Sequence, residues 1–183
     1  MLWLWIVLGA LAGLVLLAAA VGWTLDRRHL VSVRFRLAQP PEPVFAVLAD
    51  PSGYAAWRKD VRSVEMLGTV DGRLHYRERG RDGVILFEVV ASDPPRFHEV
   101  RIADDRLPYG GCWRFVLQPQ DGGTTVTITE DGFITNPVFR TLARTIYPLS
   151  APLERYARAL GERFGERVNP VAAVVHGTSR APA

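Results

Sequence analysis

Residues Leu2 to Trp23 read LWLWIVLGALAGLVLLAAAVGW, 22 positions without a charge. As a helix this run is about 33 Å long at ~1.5 Å per residue, against a bilayer hydrocarbon core of about 30 Å. Its eleven Leu, Ile and Val residues favour insertion by about 3 to 6 kcal/mol, at roughly 0.3–0.6 each. Trp3, Trp5 and Trp23 stand at its two ends, where amphipathic rings suit a membrane interface. A cleaved signal peptide has a basic leader and a shorter apolar stretch of about 7–15 residues. Here no Lys or Arg precedes the run, so residues 1–25 are expected to stay as a single-pass transmembrane anchor.

Arg27, Arg28, Arg34 and Arg36 follow the run closely. Positive charge collects on the cytoplasmic side, so the remainder of the chain is expected in the cytoplasm. Cys112 is the lone cysteine; it has no intrachain disulfide partner, which fits a reducing compartment. Gly9 and Gly13 form a GxxxG pattern, through which two anchors can approach as a homodimer.

About 160 residues remain, enough for one domain with a real core. The net charge of +3 is small and the basic residues are scattered. The densest group, Arg73, Arg77, Arg79 and Arg81, alternates with Glu78 and Asp82. That pattern reads as a solvated strand face and not as a nucleic-acid surface. Contact of Arg27 and Arg28 with anionic headgroups is the membrane-lipid contact the sequence suggests.

Val31, Val33, Phe35 and Leu37 alternate with polar residues and read as a strand. The prolines after it open a short helix through Val44 and Leu48. Asp50-Pro51 reads as an N-cap with Pro at the first helical position of a second. Asp71-Gly72, Asp82-Gly83 and Asp121-Gly122-Gly123 are hairpin signals, because these residues tolerate positive φ. They space six strands near 61–68, 73–80, 84–92, 97–104, 111–119 and 124–134. Asn136-Pro137 opens a last long helix running to Phe164, with Tyr147 among its apolar positions. Pro148 and Pro152 should kink or split it. The segment 168–183 is small and proline-bearing and is expected to be disordered.

Alternation proposes one apolar sheet face. It carries Leu74, Tyr76 and Glu78; Ile85, Phe87 and Val89; His98, Val100 and Ile102; Trp113, Phe115 and Leu117; and Val126, Ile128 and Glu130. Each aromatic there reads first as plain core and second as the wall of a hollow. Glu130 is the informative polar group, since an unpaired carboxylate on an apolar face is costly. It either pairs with an arginine or lies at an open strand end, or it anchors a ligand's head group or acts as an acid or base. The histidines His29, His75, His98 and His176 are scattered, with no metal-ligand spacing. No nucleotide loop or serine nucleophile elbow appears, and no cofactor is expected.

Several motifs in this order resemble one family. They are PEPVFAVLADPSGYAAWRKDVRSVE (Pro41 to Glu65), DPPR (Asp93 to Arg96), YGGCWRF (Tyr109 to Phe115), TVTITEDGFITNPVFR (Thr125 to Arg140) and LGERFGE (Leu160 to Glu166). Together they resemble the START-like helix-grip superfamily, nearest its bacterial polyketide cyclase/dehydrase and lipid-transport group, over residues 30–167. The resemblance implies an α+β fold in which a curved antiparallel sheet of about seven strands grips a long C-terminal helix. Two short helices would follow the first strand. It also implies an internal cavity for a lipid-like molecule. The expected wall includes Trp57, Leu74, Tyr76, Phe87, Val100 and Trp113. Phe115, Ile128, Glu130, Phe139, Leu142 and Ile146 would complete it. Three readings follow: a membrane-tethered carrier of a hydrophobic ligand, a cyclase or dehydratase using Glu130 with Tyr76 or His98, and a non-catalytic interaction module.

Overall fold

The computed structural model describes residues 1–81, 83–146 and 148–173. Helix α1 (Leu2–Thr24) is exposed from Trp3 onward except at Ala18, Ala19 and Gly22. It is long and apolar enough to cross a membrane. Gly9 and Gly13 face open space. Only Leu25 to Arg27 separate α1 from strand β1 (Arg28–Leu37).

Asp71 and Gly72 have φ of 51° and 76°, and Asp121 and Gly122 have 47° and 74°. These left-handed pairs close two-residue hairpin loops. The first joins β2 (Val61–Val70) to β3 (Arg73–Gly80) and the second joins β6 (Tyr109–Gln120) to β7 (Gly123–Ile134). Strands β4 (Gly83–Asp93) and β5 (Phe97–Ile102) lie between them. Asp82 lies outside the described residues. With β8 (Val171–Ala172) the strands form one antiparallel sheet in the order β2-β3-β4-β5-β6-β7-β1-β8.

Helix α2 (Pro41–Leu48) buries Val44, Phe45 and Leu48. The Asp50 side chain accepts a bond from the Ser52 amide at 3.1 Å. It thereby opens a 3₁₀ turn at Pro51–Gly53, which runs into α3 (Tyr54–Trp57). After β7, Asn136 Oδ1 accepts from the Phe139 amide at 3.0 Å and starts α4 (Pro137–Thr145). Helix α5 (Ala151–Arg163) follows.

The expected long helix is thus two helices, broken in the segment that holds Pro148, and they part company. The missing N–H of proline and its ring clash prevent one continuous helix. Helix α5 lies in the curve of the sheet and buries Leu153, Tyr156, Ala157 and Leu160. They pack with Val33, Phe35, Leu37, Phe115, Leu117, Val126 and Ile128. Each such leucine contributes about 1.5–3 kcal/mol by leaving water. Helix α4 turns away and packs on α1. Tyr147 lies outside the described residues.

The tail also departs from expectation at its start. Val168 is buried in the core cluster, and β8 pairs Ala172 with Val33 and Val171 with Arg34. A short apolar stretch meets the open edge of β1, and backbone pairing holds it there. Residues 174–183 lie outside the described residues. On the convex face the arginines pair with acids. Glu88 accepts from Arg73 at 2.5 Å and from Arg101 at 2.8 Å, and Arg77 donates to Glu65 at 2.8 Å.

Candidate functional site

Pairing register assembles the concave face strand by strand. Val89 opposes Val100, Val100 opposes Trp113, Trp113 opposes Glu130, and Glu130 opposes Val31. One step along lie Tyr76, Phe87 and Ile102, paired in that order. In the other direction lie His98, Phe115, Ile128 and Val33. Burial is uneven along this face. Phe115, Leu117, Val126 and Ile128 are buried, whereas Leu74, Phe87, Ile102 and Trp113 are half-buried. The grip is closed at the Leu37 end and opens toward the end of the sheet where β7 leads into α4.

Tyr156 of α5 is the hub of the interior. Its ring lies 5.3 Å from Trp57, 5.8 Å from Trp113 and 5.3 Å from Phe115, centroid to centroid. Tyr76 stacks on Phe87 at 5.3 Å and meets Tyr54 edge-on at 6.2 Å. Rings therefore fill much of the space that the sequence leads one to expect hollow. Two shallow recesses of about 280 and 330 Å³ open at the surface. They lie at the closed end, around Ala38, Pro41, Asp121 and Gly122.

Beneath the rings sits a buried charge cluster. Arg58 donates to Glu78 at 2.9 Å and to Asp60 at 2.8 Å. Its guanidinium lies 5.2 Å from the ring centroids of both Tyr54 and Tyr156. Burial opposes the arginine's charge, but Glu78 and the Asp60 hydrogen bond outweigh it and hold its pKa above the ordinary arginine value. Burial raises the pKa of Glu78, and Arg58 pulls it back only in part. Burial likewise raises Tyr54, Tyr76 and Tyr156, so all three hydroxyls stay protonated. Tyr54 donates to the Leu48 carbonyl at 2.6 Å. Tyr156 Oη lies beside Tyr54 without a well-formed hydrogen bond among the described residues.

Glu130 stands at the open end, and its partner is a histidine where an arginine was one expectation. His29 Nε2 lies 3.4 Å from Glu130 Oε1. The imidazole fits because Gly132 faces it: a Cβ at that position would lie 2.6 Å from the ring. His29 Nδ1 has no partner among the described residues. Glu130 lies on the row that carries Trp113, and His29 reaches it from the neighbouring row.

The three residues proposed for catalysis do not meet. Among the described residues Glu130 holds His29, Tyr76 lies among Tyr54 and Phe87, and His98 is wedged elsewhere. His98 is 2% exposed. It lies between Phe45 at 6.0 Å and Phe115 at 6.3 Å, with Nδ1 3.3 Å from Ser92 Oγ. Trp57, Val100 and Ile128 lie in or against the core. Leu74 is half-buried near one end of β3. Phe139, Leu142 and Ile146 do not line the grip; they are 43%, 41% and 61% exposed, because α4 leaves the sheet for α1. Sequence reasoning missed Arg58 and Tyr156 as centres of the interior, and missed His29.

Burial pushes His98 down to about 4, whereas an unfolded histidine titrates near ~6.5. Above about 6.5 both states hold it neutral and its contribution is complete. As pH falls toward 4 the unfolded chain takes up the proton first, so stability drops. The gap corresponds to roughly 3 kcal/mol. Denaturant titrations across this pH range should show the loss in the wild type and a correspondingly smaller loss in His98→Leu. An unchanged slope in His98→Leu would refute the assignment.

An open antiparallel sheet wrapped on a C-terminal helix, with an aromatic concave face, defines a helix-grip protein. The chain belongs to the family described as polyketide cyclase / dehydrase and lipid transport, which matches residues 28–161. Among solved structures it resembles TTHA0849 from Thermus thermophilus, with a TM-score of 0.60 and 24% identity over 74% of this chain and 96% of that one. It also resembles a START superfamily protein from Mycobacterium smegmatis, with a TM-score of 0.58 and 20% identity over 74% and 96%. A third is the Zhui aromatase/cyclase from Streptomyces sp. R1128, with a TM-score of 0.57 and 19% identity over 74% and 93%. At these identities the likeness is one of fold. No curated protein matches the chain.

Proposed function

We propose that this protein is a membrane-tethered binder of a hydrophobic or amphiphilic small molecule, held on the concave face of the grip. One observation carries the reading. The half-buried apolar residues Phe87, Ile102 and Trp113 lie on the concave face toward the open end of the sheet, and Trp113 opposes Glu130, which meets His29. An amphiphile needs that combination: an apolar wall for its tail and one polar anchor for its head. A ligand removing about 300 Å² of apolar surface from water gains about 7 kcal/mol at ~25 cal/mol/Å². Association costs reduce this, so the expected affinity is micromolar or weaker. Full occupation requires the rings around Tyr156 to part.

Tethering rests on α1, whose length, apolarity and exposure suit a span. A signal sequence satisfies the same criteria of length and composition.

Membranes washed with carbonate should retain the full chain. After purification, mass spectrometry should find an amphiphile in stoichiometric amount, and Trp113→Ala should lose it while the domain remains folded. Detergent and bulk lipid alone in both preparations would overturn the binding reading. The 3.4 Å contact between Glu130 and His29 favours a second reading, acid–base catalysis of a cyclase or dehydratase type. It predicts turnover abolished by Glu130→Gln.

A further inference from the structure

Helix α4 is fastened to the last turns of α1. At the crossing Gly22 meets Pro137 so closely that a Cβ would strike the proline's backbone. Thr141 Oγ1 donates to the Ala18 carbonyl at 2.7 Å. Arg140, 3% exposed, donates to the carbonyls of Gly22 at 2.7 Å and Leu25 at 3.0 Å. It also reaches those of Ile134 and Thr135, both at 3.0 Å. Arg144 reaches the carbonyls of Asp26 and Arg28 at 3.3 and 3.0 Å. The level of α4 along α1 is therefore set.

Thr141 touches α1 at Ala18, six residues before the helix ends at Thr24. That is about 9 Å along the axis at ~1.5 Å per residue. An interfacial helix sits about 5–10 Å deep, at the headgroup and acyl boundary. Phe139 and Leu142 of α4 and Ile146 at its C-cap fall at i, i+3 and i+7, one stripe. The fold leaves this stripe exposed while the polar Arg140 and Thr141 turn to α1. Arg27, Arg28 and Arg144 are exposed at the same end, where they suit lipid phosphates.

We infer that α4 lies in the bilayer interface, with Phe139, Leu142 and Ile146 immersed among lipid. The inference rests on the reading of α1 as a membrane span. Phe139 also meets Tyr109 ring to ring at 6.1 Å, at the start of the strand that carries Trp113. Helix α4 is thus a lip of the open end, and the open end of the grip faces the bilayer surface.

The full chain carrying Cys112→Ser is reconstituted in nanodiscs of phosphatidylcholine and phosphatidylglycerol. A polarity-sensitive nitrobenzoxadiazole label is placed at Leu8→Cys, Leu142→Cys, Ile146→Cys or Arg158→Cys. Nitroxide-bearing lipids then serve as quenchers. The expected result is blue-shifted emission at positions 142 and 146, quenched several-fold more than at 158 by shallow nitroxides, with position 8 quenched by deep ones. Quenching at 8 with 142 and 146 behaving like 158 would overturn the inference and leave the anchor standing. No quenching at 8 would remove the anchor and the inference together. A blue shift at 142 and 146 without lipid quenching, growing with protein density, would mean that a second copy covers the stripe, and would also overturn it.

Discussion

Arg58→Ala is expected to destabilise the domain by about 3–5 kcal/mol, because it strands Glu78 in the interior without its cation. The side chain of Glu78 is only 9% exposed, and burial already raises its pKa with Arg58 in place. Without Arg58 the carboxyl should rise further and fold as the neutral acid. A group whose folded pKa exceeds its unfolded value contributes stability at low pH and loses it as pH rises through the folded pKa. The variant should therefore be more stable in mild acid than at neutrality. Replacing both partners, as Arg58→Met with Glu78→Gln, should recover most of the loss, because no uncompensated charge remains. Denaturant titrations of the two variants beside the wild type test this. Equal stability of the single and double variants would show that the ring contacts of Arg58, and not its charge, are what matter.

Arg140→Ala should release the joint between α1 and the domain. Its guanidinium serves four carbonyls from two parts of the chain. At about 1 kcal/mol or more for each acceptor left unpaired, local opening becomes easier by about 4 kcal/mol. Where proteolysis follows the open population, that is about a thousandfold faster cleavage. Trypsin sites at Arg27 and Arg28 report it directly. Arg140→Lys should rescue only in part, since one ammonium cannot reproduce the planar fork. Wild-type cleavage rates in Arg140→Ala would show that the Gly22–Pro137 crossing holds the joint unaided.

The strands were legible because period-two alternation and Asp-Gly turns are local signals. Asp71-Gly72 and Asp121-Gly122 adopt the left-handed turns their chemistry favours, and Asn136 and Asp50 cap the helices they precede. Helix α4 was misplaced for a physical reason. Phe139, Leu142 and Ile146 have the spacing of any amphipathic helix, and that spacing does not say whether the stripe meets a sheet, another helix or lipid. Pro148 marked a break but not the direction taken after it. His29 was within reach: the alternation from Leu37 back to Val31 extends one step to it. Arg58 and Glu78 were not, because α3 brings them together from positions twenty residues apart and no period links them.

The three-residue passage from α1 to β1, clamped by Arg140, makes the chain a rigid bracket. A flexible linker would let a tethered domain swing free of whatever its anchor does. Here the 23 residues of α1 form a rod of about 34 Å, a little longer than a hydrocarbon layer of about 30 Å. In a bilayer such a rod would accommodate the mismatch by tilting, more so as the layer thins. With the joint closed, that tilt would become rotation of the whole sheet, lowering or lifting α4 with it. In a bilayer, membrane thickness would then set the angle at which the open end of the grip meets the lipid.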